Sequence, residues 1–139
     1  MMDQNQQDQN FGSGTMTTQD IVRQSVERDT PNEDWKNVYA HLHAGLKTPH
    51  FRMLRRRDSL LFFQVQSPIA SNVHLFTMDD QTELKASLKE FVNALKMAGY
   101  KKITGRLRNP AMLRIIRMAG LKVNQSKIPG GYSFEVEVA

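Results

Sequence analysis

Residues 73–121, VHLFTMDDQTELKASLKEFVNALKMAGYKKITGRLRNPAMLRIIRMAGL, decide the fold. Val73 to Met78 reads as a strand. Thr82 to Ala98 then carries Leu84, Leu88, Phe91, Val92 and Leu95 at helical spacing, so this stretch is an amphipathic helix closed by Gly99. Lys101 to Leu107 is a second strand. A strand, a helix and a strand in succession make one right-handed crossover unit, which places the second strand parallel to the first. Asn109 then caps a shorter helix with Pro110 at its first position, running to Ala119 and ended by Gly120.

Upstream, the apolar period is two. Phe51 to Arg57 and Leu60 to Val65 flank Asp58-Ser59, which reads as a tight β-hairpin, and Pro68 to Asn72 reads as a loop. Before the hairpin the period is helical. A first helix spans about 18 to 28, with Thr17 or Thr18 as N-cap and Ile21, Val22 and Val26 on its apolar side. For the second, Thr30 is the expected N-cap, with Pro31 at the first position and Glu33 completing a capping box. Its core stripe is Trp35, Val38, Tyr39, Leu42 and Leu46. Downstream, Leu121 to Ile128 and Tyr132 to Val138 are two strands joined by Pro129-Gly130-Gly131. The order is ααβββαβαββ, an α+β protein whose mixed sheet has helices on its faces.

Residues 1–16 hold little that could fill a core, and Gly12-Ser13-Gly14 is a flexible link. We expect a polar arm over 1–16 that lies on another protein subunit of an assembly, and a single domain over 17–139. The chain has 139 residues, enough for one core, and no cysteine, which excludes disulfides, thiolate metal sites and thiol nucleophiles. The longest apolar run, Leu60 to Phe63, is far short of the roughly 20 residues of a spanning helix. No signal peptide and no membrane partner are expected. His41 and His43 point to different faces of their helix and His50 and His74 stand alone, so no metal site is expected either.

The net charge of +5 is unevenly spread. Seven acids stand against two arginines from Met1 to Asp34, whereas nine lysines and arginines and no acid lie between Phe91 and Phe134. Arg55, Arg56 and Arg57, together with Lys101, Lys102, Arg106 and Arg108, are the candidate surface for a polyanion or an acidic partner. Tyr100 is the only aromatic between Phe91 and Tyr132, so no base-stacking platform is read.

The element order, with Asn109, Met112, Ile115, Ile116 and Gly120-Leu121 at their spacing, resembles the GNAT N-acetyltransferase superfamily over roughly residues 50–138. The resemblance implies a GNAT-like sheet and a loop of the form Gln/Arg-x-x-Gly-x-Gly/Ala before the crossover helix. Glycines in such a loop let the backbone approach the pyrophosphate of acetyl-CoA, next to the free N–H groups of a helix start. Here Gln81, Thr82, Leu84 and Ala86 keep the outline, with Leu84 in place of glycine, and with Asn109 they are the degenerate cofactor-site candidates. No glycine occurs from Leu46 to Ala98, and Asp79, Asp80 and Glu83 bring three negative charges to the junction. Acids at a helix start are what its dipole favours when no anion binds there.

The resemblance also implies a tyrosine as general acid where Ile116 stands. Tyr100 and Tyr132 have no support from spacing as substitutes, and Glu90, Glu135 and Glu137 read as solvent charges rather than bases. No confident catalytic residue emerges. The leading expectation is a catalytically inactive GNAT-like structural or interaction module without a cofactor, resembling small virion and internal-head proteins of short-tailed bacteriophages and located in a virion or host cytoplasm. One alternative is a divergent acyltransferase that binds acetyl-CoA with help from Lys85 and Lys89. The other is a nucleic-acid-associated regulator using the basic residues above.

Overall fold

The computed structural model describes residues 15–107 and 110–138. Of the expected arm only Thr15 and Met16 are among them; Arg108 and Asn109 lie outside, and with them the expected cap of the last helix. The elements run α1 (Thr18–Asp29), α2 (Trp35–Gly45), β1 (Phe51–Arg56), β2 (Ser59–Ser67), β3 (Ala70–Thr77), α3 (Gln81–Met97), β4 (Lys102–Leu107), α4 (Pro110–Met118), β5 (Val123–Ile128) and β6 (Gly131–Glu137). This is the expected order and class. Among the described residues no helix is long and apolar enough to cross a membrane.

The six strands form one sheet in the order β1-β2-β3-β4-β6-β5, parallel between β3 and β4 and antiparallel elsewhere. The run Leu60 to Phe63 is apolar on both sides because β2 is covered on both faces. Leu60 and Phe62 pack with Ile21, Val22, Val26, Leu42 and Met53 under α1 and α2. Leu61 and Phe63 pack on the other face with Val73, Ile103, Phe134 and the apolar sides of α3 and α4. Strand alternation thus sends one continuous run into two cores.

Three local readings are corrected. The hairpin turn is Arg57-Asp58 rather than Asp58-Ser59, since Arg56 pairs with Ser59 and Arg57 takes the left-handed φ of 52°. Ser59 is pulled into β2 because its hydroxyl is fully buried and bonded to Thr77 and Asp79. The expected loop 68–72 shrinks to Pro68-Ile69, with Ser67 opposite Ala70, because the backbone of Ser71 and Asn72 pairs with both β2 and β4. Thr30 does not start α2. It is claimed by the preceding helix, where its N–H and its hydroxyl both donate to the Val26 carbonyl, and Asp34 caps α2 instead by accepting from the Lys36 N–H. Of the α2 stripe, Leu42 is buried, Trp35, Val38 and Tyr39 pack at the edge of the core, and Leu46 is exposed.

Candidate functional site

Strands β3 and β4 share only three rungs, Ala70 with Lys102, Ser71 with Ile103 and Asn72 with Thr104, although β3 continues to Thr77 and β4 to Leu107. Beyond Asn72 the two strands part. Gly105 sits at the fork, where a Cβ would stand 2.6 Å from the Phe134 ring and 3.1 Å from the Val73 carbonyl oxygen. Only glycine lets β4 pass this point unshifted. The signal for it in the sequence is a glycine inside a strand, which commonly marks a close approach and which apolar periodicity does not register.

The parted strands leave a small apolar cavity of about 50 Å³, lined in part by Val73, Leu75, Ile103, Leu107, Met112 and Ile116. Leu75, Arg106, Leu107 and Met112 also line a broad groove of about 1480 Å³ that extends to α1 and α2. Its wall carries Arg28, Glu33, His41, His74 and Asp79. Partial burial holds the His74 imidazole below its ordinary pKa. Among the described residues no three His, Asp or Glu side chains are grouped to hold a metal ion.

At the head of α3, every acid already has a partner. The Asp80 carboxylate accepts from the Glu83 N–H at 2.8 Å and so caps the helix. Asp79 accepts from the Ser59 hydroxyl at 2.7 Å and from the Asp58 N–H at 3.1 Å. Glu83 Oε1 lies 3.0 Å from Arg56 Nη1 and 3.3 Å from Arg57 Nε. Of the degenerate loop positions, Gln81 and Thr82 are exposed, Leu84 is buried in the core and Ala86 is half-buried. Gln81 donates to Met118 Sδ, and Leu84 and Gln81 border the groove. The position implied for a tyrosine is held by Ile116, 5 % exposed within the core. Tyr100 lies edge-on to Phe63, and neither Tyr100 nor Tyr132 lines the cavity or the groove. Glu90 is bound to Arg56 at 2.6 Å and Glu135 lies 3.7 Å from Lys102.

The arginine triplet is divided by strand alternation. Arg55 shares the α1 face with Met53 and is 4 % exposed. Its guanidinium donates to the carbonyls of Arg57 and Met16 and to Asp58. Loss of water pulls its pKa below the ordinary value, against the opposing pull of Asp58 and Asp79. Arg56 points to the α3 face, where Glu83, Ser87 and Glu90 take its donors. Arg57 remains partly exposed beside Glu83. Lys101 and Lys102 stand at the opposite end of the sheet, since Lys102 is level with Ala70 and Arg56 with Ser59 and hence Thr77. Seven residues of β3 separate these levels, about 23 Å. Arg106 lies on the groove, away from both groups.

No protein-family model matches the chain, and no curated protein does. Solved structures do. The chain is similar to aminoglycoside 6'-acetyltransferase type Ii with a TM-score of 0.63 at 9% identity, covering 87% of this chain and 90% of that one. The ribosomal-protein-S18-alanine N-acetyltransferase from Escherichia coli gives 0.61 at 11% identity, covering 91% and 92%. Tetrahymena GCN5 gives 0.59 at 10% identity, covering 87% and 86%. The chain has the fold of the GNAT N-acetyltransferases.

Proposed function

We propose that the chain is a non-catalytic GNAT-fold interaction module. The observation that carries this reading is the Asp80 carboxylate on the Glu83 N–H at the start of α3. A helix end binds pyrophosphate when its N–H groups are free and the preceding backbone can come close. Here one donor is occupied by an acid, a second acid follows at Glu83, and no glycine precedes it. Two further negative charges from a ligand would face repulsion and would have to displace bonds already made. The residues present do not fit that group. Ile116 has no proton to give a departing thiolate, and the acids Glu83 and Glu90 are committed to Arg56.

In this reading the chain works through its surfaces, as one subunit among others of an assembly, with the polar arm 1–16 as one contact. A place in a phage virion rests on the family resemblance alone. A second reading, a divergent acetyl-CoA-dependent acyltransferase, is favoured by the fork between β3 and β4 and by the groove that opens from it. Lys85 and Lys89 on α3 would then serve the cofactor phosphates. Release of free CoA thiol from acetyl-CoA, measured with a panel of primary amines, separates the two. No release above the protein-free rate is expected, and saturable release would establish the second reading.

A further inference from the structure

We propose that the outer face of α4 and the edge strand β5 form a docking surface for the phosphate backbone of a nucleic acid. The inference goes beyond the non-catalytic reading and does not depend on it. Arg114 and Arg117 are exposed and three residues apart on α4, so they share its outer face about 4.5 Å apart along the axis. Arg117 Nη2 donates to Gln125 Oε1 at 2.7 Å, which fixes Gln125 on the α4 side of β5. By alternation Lys127 stands on that same side, about 6.6 Å further along. The short connection through Gly120 turns the chain back along α4, so Lys127 lies toward the Arg114 end. Three cations therefore converge.

Lys122, Asn124 and Gln125 add exposed donors along the same edge. Among the described residues none of Arg114, Arg117, Lys122 and Lys127 forms an ion pair, in contrast to Arg55, Arg56 and Arg57. The acid on the neighbouring strand, Glu135 opposite Asn124, lies by Lys102 instead. Among the described residues the sheet has no strand beyond β5. Arg, Lys, Asn and Gln side chains are the groups that contact phosphate oxygens. A protein partner would need an apolar centre to the patch, and among the described residues Met118 is its only exposed large apolar side chain. Among the described residues no exposed aromatic stands on this face, which predicts binding to the backbone without sequence preference, to duplex and single strand alike.

The test is fluorescence anisotropy of the full chain with a labelled duplex and a labelled single strand across a salt series. Three phosphate contacts give a slope of about −2.7 on the duplex, roughly a forty-fold loss of affinity between about 50 and 200 mM salt. Combined Arg114→Gln, Arg117→Gln and Lys127→Gln removes that dependence. Combined Lys36→Gln, Lys47→Gln and Arg52→Gln takes the same charge from α2, its end and the opposite edge strand, and leaves binding unchanged. The double variant R114Q/K127Q keeps the Arg117–Gln125 bond, so it retains the fold and still reduces the slope by about two. No binding at the lowest salt, an equal loss in both triple variants, or equal affinity for a polyglutamate peptide would each overturn the proposal.

Discussion

The carboxylate of Asp80 accepts a hydrogen bond from the backbone N–H of Glu83 at 2.8 Å, so the crossover helix is capped from within its own sequence. The cap satisfies a donor that a GNAT-type phosphate site would leave for its ligand. Asp80→Ala is expected to cost about 1 kcal/mol, the usual worth of such a cap. Chemical denaturation reads this directly. No change in stability would mean that the bond is not made in solution.

Ser59 is fully buried, and its hydroxyl joins Thr77 to Asp79, which in turn holds the Asp58 N–H. Ser59→Ala leaves the Asp79 carboxylate short of a donor and the buried Thr77 hydroxyl short of an acceptor, and should destabilise by about 1–3 kcal/mol. Ser59→Thr retains the hydroxyl and serves as the comparison in the same denaturation series.

Arg55→Met removes the cation that holds Asp58 and the Met16 carbonyl together under α1. The partly buried Asp58 carboxylate then lacks its counter-charge, and a loss of about 3 kcal/mol is expected. Arg52→Met, exposed on the same strand, should be close to neutral. Equal effects of the two would contradict the burial of Arg55.

Gly105→Ala sets a methyl group 2.6 Å from the Phe134 ring at the fork of β3 and β4. Overpacking of this kind costs about 1–3 kcal/mol. Gly105→Ala combined with Phe134→Leu relieves the clash, so the pair should be non-additive in a double-mutant cycle.

The helical and strand periods of residues 73–121 were enough to give the crossover, because α3 and β4 each bury one face and expose the other, which keeps the apolar spacing strict. Turn positions were less legible. Asp58-Ser59 is an ordinary turn pair, and only the buried bonds from Ser59 to Thr77 and Asp79, far away in sequence, move the turn to Arg57-Asp58. Thr30-Pro31 matches a helix start equally well, but the last carbonyls of α1 compete for Thr30 and win. The loss of glycine and the acids at the head of α3 could be read from residue identity alone. The fate of Arg55, Arg56 and Arg57 could not, since three adjacent arginines look alike until alternation assigns Arg55 and Arg56 to opposite faces of the sheet and leaves Arg57 in the turn.

Ile116→Tyr, which restores the residue type that the resemblance implies, should yield no acetyl transfer, because the added ring enters a core position that is 5 % exposed. It should instead lower stability by about 1–3 kcal/mol.

Isothermal titration of the full chain with acetyl-CoA bears most directly on the non-catalytic reading. With the head of α3 capped by Asp80 and flanked by Glu83, no heat of binding is expected up to millimolar ligand. A saturable isotherm with micromolar affinity would contradict the account.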